Sequence, residues 1–148
     1  LVVADGSAEF LVAELYAALL AKSHGAHPAI VRVIEPQDFM HWGGIESRMK
    51  AELREQAERD VWEAARTMGE MTGVIPSIYI EEGEKAEVLE KIIGGDSDIK
   101  MLILAGDTAG SNPGPLTSYF TSKGLAKLRV PVLIIPGHLR PEEIEGLV

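Results

Sequence analysis

The chain has 148 residues, of which 46% are hydrophobic and 25% are charged, a composition typical of one soluble globular domain with its own core. Its net charge of -9 argues against nucleic acid as a partner, because that binding requires Lys and Arg to neutralise phosphates. The absence of cysteine excludes disulfides, zinc–thiolate sites and thiol catalysis. No apolar run reaches the roughly 18 residues that a membrane-spanning helix needs, so we expect a cytoplasmic protein that does not contact membranes.

The first predicted elements are a strand and a helix. The apolar residues 1–4 predict the end of a strand, and because the chain opens within it, we expect a few residues to precede Leu1. A turn follows at Asp5–Ser7, and its serine side chain is a typical acceptor for a free N–H group at the start of a helix. Apolar residues at helical spacing within residues 9–24 predict that helix, which Gly25 is suited to end in the left-handed conformation.

The rest of the chain alternates between strands and helices. It contains no internal repeat, low-complexity segment or Pro/Ser-rich linker, so we expect residues 1–148 to form a single domain. Hydrophobic periodicity predicts strands at 29–34, 75–81, 101–104 and 131–135, and helices at 45–72, 84–93, 118–128 and 141–148.

This alternation predicts an α/β fold, namely an open, mainly parallel five-stranded sheet with helices on both faces, as in Rossmann-like proteins. Several of the strands are near-continuous apolar runs, as burial on both faces requires. In such sheets ligands bind outside the carboxyl ends of the strands, where the strand order reverses. The residues alone do not fix that order, and the loops after the first and fourth strands border one crevice only if these strands are neighbours.

Both of these loops carry chemistry suited to a nucleotide. Asp5 follows the first strand, and its carboxylate is able to accept a hydrogen bond from a ribose hydroxyl. Gly106 follows the fourth strand, where the lack of a Cβ lets a sugar or phosphate approach the backbone. Successive N–H groups of the Gly-rich loop after it form a nest for phosphate oxygens. Ser118 would add a hydroxyl near the start of the next helix, and adenine would lie against Val33 and Ile34.

Four segments resemble the universal stress proteins, and the likeness covers nearly the whole chain. They are VVADGSAEF at the first strand, HPAIVRVIEP at the second, LILAGDTAG at the fourth and VPVLIIP at the fifth, while VIEPQDFMHW and GPGPL are similar to a bacterial branch of the family. The resemblance implies the strand order 3-2-1-4-5 of adenine nucleotide alpha hydrolase-like folds and a homodimer that pairs through the fifth strands. It also implies ATP binding in one branch of the family and no nucleotide in another.

The glycine motif of the ATP-binding members is only partly kept. Those members carry Gly, two residues, Gly, nine residues, then Gly-Ser or Gly-Thr. Gly106 matches the first glycine, and Ala109 stands at the second with Gly110 one place late. Ser118 stands at the third glycine when the position is counted back from Pro131. The resemblance therefore implies a nucleotide loop that is either altered in its mode of binding or no longer used.

The candidate contacts combine both lines of reasoning. Pro113 and Pro115 remove two N–H donors from the loop, so a nucleotide with fewer phosphates, such as AMP, is an alternative to ATP. The candidate adenine-nucleotide contacts are Asp5, Gly6, Ser7, Val33, Ile34, Gly106, Ala109, Gly110 and Ser118.

The predicted fifth strand is a candidate dimer interface. Val130–Ile135 is short, apolar and last in the implied strand order. An exposed apolar edge promotes aggregation unless it is covered, and pairing with a second copy across a two-fold axis would cover it. We therefore expect a homodimer.

Residues for catalysis or metal binding are not grouped in the sequence. The histidines are scattered, and no serine has a His–acid partner nearby, so neither a metal site nor a nucleophilic triad is predicted. The favoured function is a homodimeric stress-response regulatory module that binds an adenine nucleotide. Two alternatives stay open: an interaction protein without a nucleotide, which docks on partners through the aromatic loop Phe39–Trp42, and a slow ATP hydrolase.

Overall fold

Five strands and five α-helices alternate along the computed structural model, which describes residues 1–36 and 46–148 apart from the Glu46 side chain. The loop Phe39–Trp42 lies outside the described residues. The strands are β1 (Val2–Val3), β2 (Ala29–Ile34), β3 (Ser77–Glu82), β4 (Leu102–Gly106) and β5 (Val132–Pro136), and the helices are α1 (Phe10–His24), α2 (Glu46–Thr72), α3 (Lys85–Gly95), α4 (Pro115–Phe120) and α5 (Pro141–Leu147).

The strands form one parallel sheet in the order β3-β2-β1-β4-β5, which confirms the predicted fold class. β1 lies at the centre, where Val2 pairs with Ile30 of β2 on one side and with Ile103 of β4 on the other. The strand order reverses between β1 and β4. The first and fourth strands are therefore neighbours, and their carboxyl ends meet at one edge of the sheet.

Helices cover both faces of the sheet, as buried parallel strands require. Among the described helices, none is both long enough and apolar enough to cross a membrane. Buried apolar side chains fill two layers, with Phe10, Ala13, Val61 and Met68 on the α1/α2 face and Leu89, Ile93 and Phe120 on the α3/α4 face.

Glycine ends both long helices on the α1/α2 face. Gly25 follows α1 with φ +62 and Gly73 follows α2 with φ +77, a backbone region that L side chains rarely adopt. The Gly73 N–H donates to the carbonyl of Gly69 at 2.8 Å, which satisfies one of the last carbonyls of α2. The left-handed end predicted for the first helix is confirmed.

The helix predicted at 118–128 is wrong at both ends. α4 starts at Pro115, whose fixed φ suits the first turn of a helix, and it stops at Phe120. A separate 3-10 turn follows at Leu125–Lys127. Residues 121–124 form a turn between the two, and at Gly124 the ring of Tyr119 packs so closely that an added Cβ would overlap it. Ser118 accordingly lies within α4 rather than at the start of a long helix, and its N–H donates to the Gly114 carbonyl at 2.9 Å.

The last two strands are shifted relative to their predicted bounds. β4 and β5 pair in register from Leu102↔Val132 to Gly106↔Pro136. The fourth strand therefore begins one residue later than predicted and ends two residues later, and the interface predicted at Val130–Ile135 becomes the strand Val132–Pro136. Gly106 is the last residue of a strand and not, as predicted, the first residue of a loop.

Candidate functional site

The candidate site lies at the carboxyl edge of the sheet, around the ends of β1, β2 and β4. The turn Asp5–Ser7 follows β1, and the loop 107–114 follows β4, which is its direct neighbour. The chain after β5 joins the same edge, because the Gly137 N–H donates to the Gly106 carbonyl at 2.8 Å. The structure thus brings together the two loops that the sequence singled out.

The turn after β1 is organised by the Asp5 carboxylate. Its Oδ1 accepts hydrogen bonds from the Ser7 N–H at 2.9 Å and from the Ser7 hydroxyl at 2.6 Å. The Ser7 Oγ in turn accepts from the Phe10 N–H at 3.2 Å, as predicted for the residue before the first helix. Asp5 is exposed, and its Oδ2 has no hydrogen-bond partner among the described residues. One carboxylate oxygen therefore holds the turn and the other is available to a ligand hydroxyl.

Gly106 is buried by the neighbouring strand. A Cβ at this position would lie 3.1 Å from the Ile134 Cγ2 and 3.8 Å from the Ile135 carbonyl oxygen. Contacts between nonbonded carbons below about 3.5 Å are repulsive. Packing against β5 therefore favours glycine here independently of any ligand, since a Cβ would require the Ile134 side chain to move by a few tenths of an ångström.

Side chains of the loop after β4 accept hydrogen bonds from two of its own backbone N–H groups. The Asp107 Oδ1 accepts from the Ala109 N–H at 2.8 Å, and the Asn112 Oδ1 accepts from the Gly114 N–H at 3.0 Å. Asn112 also accepts from the Ser118 hydroxyl at 3.1 Å. These donors are the kind that a phosphate nest uses. The Asp107 carboxylate also adds a negative charge that opposes phosphate in this loop.

The hydrophobic residues predicted to contact adenine face the protein interior. Val33 and Ile34 are each only 5% exposed. Val33 belongs to the core on the α3/α4 face, and Ile34 packs against Ala57 of α2. A ligand at this edge would therefore meet the backbone of these residues rather than their side chains. Ala109 and Gly110 are exposed in the loop, as the hypothesis of a ligand contact requires.

Arg32 is the residue at this edge that the sequence reasoning missed. It lies on β2, is half-buried, and its Nη1 donates to the Ala4 carbonyl at 3.2 Å. A Cβ on Gly6 would stand 3.0 Å from the same nitrogen, so the guanidinium lies directly against the turn after β1. The available signal was a charge inside the otherwise apolar run AIVRVI.

A second polar pair spans the other side of the edge. The His138 Nδ1 lies 3.1 Å from the Thr108 Oγ1, which links the chain after β5 to the loop after β4. Within residues 1–36 and 46–148, no group of three or more His, Asp and Glu side chains is arranged to hold a metal ion. A cavity of about 510 Å³ lies elsewhere, at the amino ends of the strands, where Leu20, His24 and Lys100 contribute to its wall.

The model of the universal stress protein family matches residues 1–136. The chain belongs to the universal stress protein family. Membership confirms the resemblance and accounts for the strand order. A search of curated proteins finds no significant match.

Solved structures of other universal stress proteins share this fold. A family member from Burkholderia pseudomallei is 24% identical, with 91% of this chain and 95% of that chain covered and a TM-score of 0.67. UspA from Lactobacillus plantarum is 17% identical, with 90% and 95% covered and a TM-score of 0.71. A universal stress protein solved in complex with cAMP is 17% identical, with 92% and 95% covered and a TM-score of 0.59.

Proposed function

We propose that this protein is a stress-response regulatory module that binds an adenine nucleotide at the carboxyl edge of β1, β2 and β4. The observation that carries the proposal is the junction of the Asp5–Ser7 turn and the Gly106 strand end at the point where the strand order reverses. The unpartnered Oδ2 of Asp5 is suited to accept a ribose hydroxyl. The cAMP complex of a structural neighbour supports a nucleotide in this fold.

A nucleotide with one phosphate fits this edge better than ATP. The Ala109 and Gly114 N–H groups are already used by the side chains of Asp107 and Asn112. Binding a triphosphate in the loop would require these hydrogen bonds to break and would place the phosphates beside a carboxylate. We therefore infer the affinity order AMP above ADP above ATP.

The role of Asp5 is tested by Asp5→Asn, which keeps an acceptor for Ser7 and removes the acceptor aimed at a ribose. We expect the affinity for AMP in equilibrium dialysis to fall by about tenfold to a hundredfold, since a hydrogen bond to a charged group contributes about 1.5–3 kcal/mol. Asp98→Asn, which changes an exposed aspartate before β4, is the matched control and should bind as the wild type. No binding of any adenine nucleotide at millimolar concentration would refute the proposed function.

The proposal includes a homodimer that pairs through β5. This strand lies at one end of the sheet, and Val132, Leu133 and Ile134 are only half-buried. Val132 and Leu133 pack on the core of the described chain, whereas Ile134 is not part of a core cluster. A second copy would cover both the unpaired strand edge and the Ile134 side chain.

Ile134→Lys is expected to convert the dimer to a monomer, because it places a charge in the proposed interface without removing a core residue. Sedimentation equilibrium over a range of protein concentrations measures the change. Ile75→Lys is the matched control, since Ile75 is 71% exposed and lies outside β5. If both variants sediment as the wild type does, β5 is not the interface.

The second candidate is an interaction protein that binds no nucleotide. It is favoured by the hydrogen bonds through which Asp107 and Asn112 close the loop after β4 on itself. Mass spectrometry of the small molecules released when the purified protein is denatured separates the two candidates. A nucleotide in that fraction at near-stoichiometric amount would exclude the second candidate.

A further inference from the structure

The guanidinium of Arg32 is held at the carboxyl edge with few partners. Its single hydrogen bond within the described residues goes to the Ala4 carbonyl at 3.2 Å. In the same part of the chain, no carboxylate lies within ion-pair distance of it. The nearby Asp5 directs Oδ1 to Ser7 instead. A half-buried guanidinium with one hydrogen bond has four further N–H donors to satisfy.

The turn after β1 is shaped to leave room for this group. Gly6 has φ +77, and a Cβ there would lie 3.0 Å from the Arg32 Nη1 and 3.6 Å from its Nη2. The guanidinium therefore presents its nitrogens beside the Gly6 backbone. The Gly6 N–H has no hydrogen-bond partner among the described residues. Arginine binds phosphate through two parallel hydrogen bonds, and a neighbouring backbone N–H adds a third donor.

Charge distinguishes the two sides of the edge. The net charge of the chain is -9, and the loop after β4 contains Asp107 and no Lys or Arg. Arg32 supplies the positive charge at the other side, beside the turn after β1. An anionic group therefore meets the Arg32 guanidinium as well as the Asp5 carboxylate on the β1/β2 side, whereas the loop after β4 offers it the Asp107 carboxylate and no basic side chain.

We propose that Arg32 and the Gly6 backbone form the anion subsite of this protein, which binds a phosphate monoester at the ends of β1 and β2. The inference rests on the proposed function and specifies where the phosphate of the nucleotide lies. The loop 107–114 then contacts the uncharged part of the ligand. Arg32 is a specificity-determining residue, because it selects a phosphorylated nucleoside over the nucleoside itself.

The test compares AMP, adenosine and inorganic phosphate by isothermal titration calorimetry on the wild type and on Arg32→Gln. We expect Arg32→Gln to lose about tenfold to a hundredfold in affinity for AMP, the range for charge-assisted hydrogen bonds, and to keep its affinity for adenosine. Arg32→Lys keeps the positive charge but is not able to form two parallel hydrogen bonds to phosphate. Its affinity for AMP should therefore lie between those of the wild type and Arg32→Gln. Arg66→Gln removes the same charge from an exposed site on α2 and should leave AMP binding unchanged.

A second readout does not depend on nucleotide affinity. In the wild type, inorganic phosphate should shift the Arg32 Nε–H resonance in nitrogen–proton correlation spectra. Phosphate should leave the Arg66 Nε–H resonance in place.

The outcomes separate this subsite from the proposed function. If the wild type binds AMP and Arg32→Gln binds it equally well while remaining folded, the Arg32 subsite is overturned and nucleotide binding stands. If the wild type binds AMP no better than adenosine, the subsite is also overturned. Absence of binding for all three probes refutes both.

Discussion

Replacing Glu14 with glutamine is expected to stabilise the protein at about pH 8 and to change its stability little at about pH 5. Glu14 lies on α1 and is only 5% exposed. Its Oε1 is buried and has no hydrogen-bond partner among the described residues. Burial, and to a smaller extent the negative charge of Glu63, raises the pKa of Glu14 from 4.5 to about 7. An ionised Glu14 is thus unfavourable in the folded chain.

The direction of the pH dependence follows from this raised pKa. Between 4.5 and about 7 the folded protein retains a proton on Glu14 that the unfolded chain releases. The free energy of unfolding therefore falls as the pH rises through this window and is constant above it. The difference of 2.5 pKa units between 4.5 and about 7 corresponds to roughly 3.5 kcal/mol at about 1.4 kcal/mol per unit. Glutamine does not ionise, so the free energy of unfolding of the variant does not fall in this pH window through residue 14.

Urea unfolding at several pH values between about 5 and 8 measures the effect. Glu63→Gln is the matched control, because Glu63 is exposed and affects Glu14 only through its charge. It should reduce the pH dependence slightly, whereas Glu14→Gln should abolish most of it. Parallel stability curves for the wild type and Glu14→Gln would show that Glu14 ionises at an ordinary pKa.

Local sequence patterns predicted the sheet and most helix ends. The alternation of apolar runs with amphipathic segments was enough for the fold class, and Gly25 was enough for the end of α1. The start of α4 at Pro115 was missed, although proline is common at that position. The reason is that a segment rich in glycine and proline is equally typical of a loop and of the start of a helix, so its composition does not distinguish the two. The close packing of the Tyr119 ring on Gly124 joins residues of different turns, so hydrophobic periodicity does not reveal it.

The sequence predicted where the candidate site lies, but it did not predict which charged and packing residues surround it. Asp5 and Gly106 were predicted as ligand contacts because each stands at the carboxyl end of a strand, and the carboxyl ends of parallel strands lie at the same edge of the sheet. The role of Gly106 in packing depends on Ile134, a residue of another strand, and the role of Arg32 depends on Gly6 across the β1–β2 pair. Contacts of this kind join residues far apart in sequence. Sequence patterning therefore indicates where a ligand would bind and the tertiary contacts indicate which charges it would meet.

Gly137→Ala is expected to destabilise the fold by about 2–3 kcal/mol and to weaken nucleotide binding, because the packing at the carboxyl edge of the sheet leaves no space for an added methyl group. A Cβ at position 137 would overlap the Glu9 Cγ and stand 2.9 Å from the Gly106 carbonyl oxygen. That carbonyl also accepts the Gly137 N–H at 2.8 Å, so the backbone there is not free to move away. Relief of the clash must shift either the segment before α1 or the end of β4, and both border the candidate site.

Gly146→Ala provides the matched control for this substitution. Gly146 lies in α5 with no atom within 4 Å of an added Cβ, so alanine there should be neutral or stabilising by up to about 1 kcal/mol. The double variant Glu9→Ala/Gly137→Ala separates the two overlaps. It should recover part of the lost stability, because the overlap with the Glu9 Cγ is removed, whereas the approaches to the Cβ of residue 9 and to the Gly106 carbonyl oxygen, both at 2.9 Å, remain. Equal unfolding midpoints for Gly137→Ala and Gly146→Ala would mean that the chain after β5 does not constrain the edge, and the affinity for AMP would then be expected to survive in both.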